Sequence, residues 1–369
     1  MNTIRSKRIL CVIDNLGSGG AQRQIVNLAI GLKKLGHAAA VFTYSNAPGH
    51  FDGELRDAEV PLSNCPRRIG HPTYTILRLR ALVQSGKFDG VISFMPIPSF
   101  IACVALLGLP TIRLVVSERS SFPTGNPSWE DRMIRALHGR ATWVTANSHH
   151  QAALMRRGFP RLQERLKTIY NGYDAAQFQV RKWEQASDVL RLVAVGRITT
   201  GKNIENLVYA LKMSRTQGFD VRLDWIGRLD NVRWASGYYE QISALIDSAG
   251  IGSAWRWLGE RNDISARLCK YDALVHPSLY EGLPNAVCEA FACGLPVIAS
   301  NVCDHPVLLV PPQRGFLFNP SDPASIADAL MRYACLRVAA RGQMGMAARQ
   351  FALEELSLEK MSSFYSELL

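Results

Sequence analysis

Residues 8–16, RILCVIDNL, form an apolar and β-branched run too short for a helix, and a glycine-rich segment follows them. Over residues 21–35, Ile25, Leu28, Ala29, Leu32 and Leu35 then recur at helical spacing until Gly36-His37 interrupts them. Residues 38–44 read as the next strand, and later strands are expected at 90–94, 112–117 and 142–146. Residues 169–190 break the pattern: Ile169-Tyr170-Asn171-Gly172-Tyr173-Asp174 carries turn chemistry, and 178–188 is polar without a period. A second alternation begins beyond, with strands expected at 191–195, 221–226, 255–258, 273–276 and 297–299. Helical stretches fall at 204–212, 238–249, 264–269 and 285–293, and residues 350–369 read as one amphipathic helix. Strand–helix alternation of this kind gives an α/β fold of mostly parallel sheets covered by helices on both faces. Two doubly wound, Rossmann-like domains are expected, over 1–175 and 176–349, with the helix at 350–369 packing back on the first.

Composition agrees with two globular domains: the chain has 369 residues, 47% of them hydrophobic and 20% charged. The longest apolar runs, such as 100–109, fall well short of the roughly 20 residues a membrane span needs. The apolar run at 9–13 is cut by Asp14 and is too short for the core of a signal peptide, so a cytoplasmic location is expected. Eight scattered cysteines without a C-x-x-C read as small buried hydrophobes. Charge adds something less ordinary. Of the net +11, the first 178 residues hold 22 Lys and Arg against 11 Asp and Glu, while the remainder holds 20 of each sign. Arg67, Arg68, Arg78, Arg80 and Lys87 surround the apolar stretch 74–83, as in a basic amphipathic helix that lies on an anionic inner-membrane surface. A merely soluble basic face is the alternative, and no nucleic-acid motif accompanies the charge.

Candidate chemistry sits at strand-to-helix junctions. Asn15-Leu16-Gly17-Ser18-Gly19-Gly20 allows a tight turn that brings backbone N–H groups and a helix N-terminus toward an anion, although Gln22 stands where a dinucleotide fingerprint has its third glycine. In the second half, Arg197 and Lys202 follow a strand at a spacing that suits a diphosphate, the arginine forking two oxygens and the lysine adding a point charge. Further on, Tyr280-Glu281-Gly282-Leu283-Pro284-Asn285 turns into a helix that carries Glu289 about one turn in. Glu289 lies among apolar residues and is expected to be half-buried, where a carboxylate wants a partner.

Taken in order, these segments resemble the large family of retaining GT-B glycosyltransferases usually numbered four. The likeness rests on Gly19-Gly20, Asn171-Gly172-x-Asp174, Gly196-Arg197 with Lys202-Asn203, Leu258-Gly259, Pro277-Ser278, the Glu281-x7-Glu289 element and Gly294-x-Pro296-Val297-Ile298. It implies two Rossmann-like domains facing each other across a cleft, and a nucleotide-diphosphate sugar, with UDP favoured, as donor. Arg197 and Lys202 would neutralise the leaving diphosphate, and Glu281 would contact the donor sugar. Glu289 would hold the ribose, with Gly282, Leu283 and Asn285 in the same donor element and Gly19 and Gly20 approaching the phosphates. No Asp-x-Asp occurs, which suits a site without a metal, and no cofactor is implied. Two segments depart from the family pattern. Glu118 and Arg119 stand where relatives place an acceptor-side loop and are assigned to the acceptor region, with an ion-paired loop as the alternative. At 301–306 relatives carry a glycine-rich segment, and His305 there is expected as a surface loop residue.

The looser likeness of the Ser18-to-Arg23 start and the Ser117-Glu118-Arg119 loop is to enzymes of bacterial surface polysaccharide synthesis, of the O-antigen, capsule or lipopolysaccharide kind. It implies transfer of a hexose or N-acetylhexosamine to a lipid-diphosphate-linked saccharide by a peripheral enzyme on the cytoplasmic face of the inner membrane. A transferase with a soluble acceptor, a nucleotide-sugar 2-epimerase and a non-catalytic two-lobed sugar-binding protein are the competing readings.

Overall fold

In the computed structural model, residues 5–46, 49–66, 72–119, 127–183, 189–228 and 233–369 are described. The chain divides into two compact units: one runs to Tyr173 and takes back Leu356–Leu369, and the other is Asp174–Glu355.

The first unit is built on seven strands: β1 Arg8–Val12, β2 Ala38–Thr43, β3 Leu62–Asn64, β4 Gly90–Phe94, β5 Arg113–Glu118, β6 Trp143–Ala146 and β7 Leu166–Thr168. They pair in parallel in the order β3-β2-β1-β4-β5-β6-β7. A parallel sheet covered on both faces favours strands that are apolar on both sides, which is why β1 beyond Arg8 and β4 apart from Ser93 read as apolar runs. Alternate β1 side chains enter different cores. Leu10 and Val12 pack with Leu79, Ile101 and Met155 on one face. Ile9 and Cys11 pack with Ile25, Leu28 and Leu32 of helix Gly20–Lys34 on the other.

The second unit has six strands, β8 Val189–Val195, β9 Asp220–Ile226, β10 Trp255–Gly259, β11 Ala273–His276, β12 Val297–Ser300 and β13 Gly315–Phe318. Their order is β10-β9-β8-β11-β12-β13, again all parallel. The expected doubly wound α/β architecture is therefore the observed one, twice over. Each sheet reverses its order at one place, between β1 and β4 in the first unit and between β8 and β11 in the second. In open α/β sheets, ligands bind outside the carboxyl ends of the strands at such switch points.

Three expectations change. The tail is not one helix: Val338–Glu355 belongs to the second unit, the chain extends through Leu356 and Ser357, and Leu358–Glu367 packs in the first unit. The break has a local cause, since Ser357 Oγ accepts the Lys360 N–H at 3.1 Å as an N-cap while the extended segment bonds Tyr173. Of the basic cluster, Arg67 and Arg68 lie outside the described residues, and Arg80 donates to Ala105 O at 2.8 Å and Leu107 O at 2.6 Å, so it satisfies a helix end. Among the cysteines, Cys11, Cys65, Cys103, Cys288 and Cys293 are buried as expected, but Cys335 is exposed.

Candidate active site

At the second unit's switch point three loops converge within that unit. The β8 loop ends in a 3-10 turn, Thr200–Lys202, and Asn203 adopts a left-handed backbone (φ 55°) before helix Ile204–Thr216. Asparagine tolerates that conformation, and here its side-chain amide also donates to Pro320 O at 2.8 Å and Pro277 O at 3.2 Å. Asn203 thus ties the β8 loop to the loops after β11 and β13. The path leaves Lys202 lying back across Gly196, where an added Cβ would meet Lys202 Cε at 2.9 Å.

Lys202 Nζ reaches Glu281 Oε1 at 2.5 Å, with side chains 20% and 18% exposed. The two residues picked from separate motifs are therefore one ion pair. His276, the last residue of β11, places Nε2 at 3.1 Å from the same oxygen and 3.3 Å from Ser278 Oγ. Cys303 takes the Glu281 backbone N–H on its Sγ at 3.2 Å. Burial works against a charge on Glu281, yet the Lys202 ammonium and the His276 hydrogen bond outweigh it and hold the carboxyl well below the usual range. Burial and the nearby Lys202 lower the His276 pKa, so the imidazole stays neutral.

The other second-unit residues take distinct positions. Arg197 projects from the same β8 loop and is exposed, and Glu289 is half-buried, as expected, on helix Asn285–Ala292. Gly282 and Asn285 are half-buried, whereas the Leu283 side chain is buried and leaves only its backbone for a ligand. His305 corrects the expectation of a surface loop. It is fully buried at the start of the short helix His305–Leu309, its Nδ1–H donating to Ser300 O at 2.8 Å. Burial pushes its pKa down to about 3, with His276 adding to the effect.

In the first unit, Gly19 caps helix Gly20–Lys34 with extended backbone, and no acidic residue occupies the first helical turn. The loop is stiffened locally, Gly17 N–H donating to Asn15 Oδ1 at 2.9 Å. Glu118 and Arg119 follow at the β5 end but turn inward. Arg135 donates to both oxygens of Glu118 at 3.0 and 2.8 Å in a fully buried pair, so Glu118 takes the ion-paired alternative and is buried away from solvent. Arg119 lies 3.7 Å over the Phe94 ring, donates to Asn171 and to Tyr365 Oη at 3.3 Å, and is also buried. Its cation ties the strand end, the linker and the final helix together. Sequence reasoning missed this role, and it missed His276, whose one signal was its place just before Pro277-Ser278 and five residues ahead of Glu281. Among the described residues, no group of three or more His, Cys, Asp and Glu is placed to hold a metal.

Comparison with known proteins gives two family matches that together run from residue 18 to 351: Glycosyltransferase Family 4 over residues 18–177 and Glycosyl transferases group 1 over 176–351. The chain is 27% identical to EpsF of Bacillus subtilis, assigned as a glycosyltransferase, over 80% of this chain and 79% of that one. It is 22% identical to the N-acetylgalactosamine-N,N'-diacetylbacillosaminyl-diphospho-undecaprenol 4-alpha-N-acetylgalactosaminyltransferase of Campylobacter jejuni, over 78% of this chain and 79% of that one. Among solved structures, Anabaena HepE in complex with UDP and glucose superposes with a TM-score of 0.82 at 21% identity, covering 98% of each chain.

Proposed function

The chain belongs to the GT-B glycosyltransferases, one family match falling on each half, and from that premise we propose that it is a retaining transferase using a UDP-sugar. The observation that carries this reading is the Lys202–Glu281 pair, set at the second unit's switch point with Arg197 on the same loop. Transfer breaks the bond between the sugar's anomeric carbon and the diphosphate, so negative charge grows on the leaving group. Arg197 and Lys202 offset that growth without a divalent metal, while Glu281 holds a donor-sugar hydroxyl and Glu289 the ribose. UDP in the HepE complex supports the choice of nucleotide.

For the acceptor, the Campylobacter relative's diphospho-undecaprenol substrate supports a hexose or N-acetylhexosamine transfer to a lipid-diphosphate-linked saccharide in surface polysaccharide synthesis. The first unit supports docking to an anionic membrane. Helices Pro72–Ser85, Pro96–Ala105 and Trp129–Arg135 pack one against the next and expose Leu77, Ile97, Trp129 and Met133, with Arg78 and Arg132 also exposed on them. No helix among the described residues is long and apolar enough to cross a membrane.

The testing experiment measures nucleotide release from UDP- and GDP-sugars with and without lipid-diphosphate saccharides, in the presence and absence of EDTA. Acceptor-dependent UDP release that survives EDTA is expected. Acceptor-independent conversion of the donor would instead mark an epimerase, and release abolished by EDTA would overturn the metal-free site.

A further inference from the structure

Glu281 is held from one side only. Lys202 Nζ and His276 Nε2 both bond Oε1, at 2.5 and 3.1 Å, and no described protein atom bonds Oε2. A carboxylate can only accept, so His276 must carry its proton on Nε2 to make this contact. The ring is then fixed from behind. His305 meets it edge to face, with centroids 5.3 Å apart and planes at 79°. His305 is held in turn, fully buried and with its Nδ1–H spent on Ser300 O at 2.8 Å. Ser300 Oγ donates to Ser278 O at 2.6 Å, which joins the ends of β12 and β11 beneath the pair. Neither buried histidine is an ion-pair partner of a second acid, and His276 is buried too deeply (2% exposed) to touch a substrate itself.

We propose that His276 is a positioning residue for Glu281. Its Nε2–H turns the carboxylate so that Oε1 stays on the protein and Oε2 faces the donor sugar, while the edge-to-face contact with His305 holds the orientation of the imidazole. Lys202 alone would not fix the angle, since an ammonium on a flexible stem is a point charge that leaves the carboxylate free to rotate. An imidazole N–H is directional and set by its ring, and a catalytic group loses rate when held loosely. The inference rests on the reading of Glu281 as the donor-sugar carboxylate and adds how it is aimed.

The charged and titratable groups facing His276 are Lys202 from the β8 loop, Glu281 from the β11 loop and His305 beyond β12, with the thiol of Cys303 on the Glu281 backbone. The test is steady-state kinetics with the best donor on the full chain, comparing His276→Leu, His276→Gln and Glu281→Ala at several pH values, each protein checked by thermal melting. The leucine variant removes the donor, whereas glutamine returns an amide N–H at a similar reach. In His276→Leu, kcat falls about tenfold or more with donor KM changed much less, as for a lost charge-assisted hydrogen bond. Its acid limb also moves to higher pH, because the carboxylate has lost a donor that favoured its charge. His276→Gln recovers most of the rate. Equal losses in the leucine and glutamine variants, or a leucine variant with wild-type kcat and pH profile, would overturn the proposal. Full activity in Glu281→Ala would sink the underlying reading instead, so the two failures are told apart.

Discussion

His37, His138, His276 and His305 are buried, and each is held below the ordinary histidine pKa with burial as the main cause. Folding therefore requires the neutral imidazole, while the unfolded chain takes up protons below about pH 6.5. Stability is fully present above that pH and declines as pH falls, because the unfolded state binds more protons there. His305 alone, at about 3, should cost about 2 kcal/mol at pH 5. Glu281, held below the usual carboxylate range, adds to this loss once the pH falls toward the ordinary carboxyl pKa of about 4.3, because there too the unfolded chain binds the proton first. Calorimetric melts at pH 7.5 and 5 should show a clear drop in Tm, and equal melts would contradict the neutral-histidine assignment. What the sequence reveals at this scale is uneven. Arg197, Lys202, Glu281 and Glu289 are legible because their spacing on strand-loop-helix junctions is local chemistry. His276 and His305 are not, since their roles appear only when β11 and β12 lie side by side.

Among the elements, the central strands were readable because burial on both faces makes them mostly apolar, as in β4 and β11 apart from Ser93 and His276. Edge strands β3, β7 and β13 are only 3, 3 and 4 residues long, which is too short for a pattern to emerge from turn residues. The divided tail was hidden for a related reason. Ser357 is an ordinary polar residue in an amphipathic run until its cap and its pairing with Tyr173 are seen. Helix Leu358–Glu367 then packs on helix Gly20–Lys34 so closely that a Cβ at Gly31 would stand 2.0 Å from Ser362 Oγ and 3.0 Å from Leu358 Cδ1. Gly31→Ala should overpack this contact by about 1–3 kcal/mol and lower Tm by roughly 5 °C. An unchanged melt would show that the two helices separate freely.

At the level of the whole chain, the surplus of positive charge and the exposed apolar residues Leu77, Ile97, Trp129 and Met133 both belong to the first unit. The charge asymmetry is plain in the sequence, but the apolar residues are not, since exposure is a property of packing and the apolar stretch at 74–83 also contributes Leu79 and Val83 to the core. Trp129→Ser with Met133→Ser should reduce sedimentation with anionic vesicles several-fold at low salt while leaving nucleotide binding intact, and salt should weaken what remains. Vesicle binding equal to that of the unaltered protein would move the docking surface elsewhere.

The claim on which the account depends is that the donor diphosphate binds the cations at the β8 loop of the second unit. Calorimetric titration of UDP into the protein, and into an Arg197→Ala, Lys202→Ala double variant, tests it without needing the acceptor. Removing two charge-assisted contacts of about 1.5 kcal/mol each predicts a Kd weakened roughly a hundredfold. A double variant that melts normally and binds UDP as tightly as the unaltered protein would contradict the site.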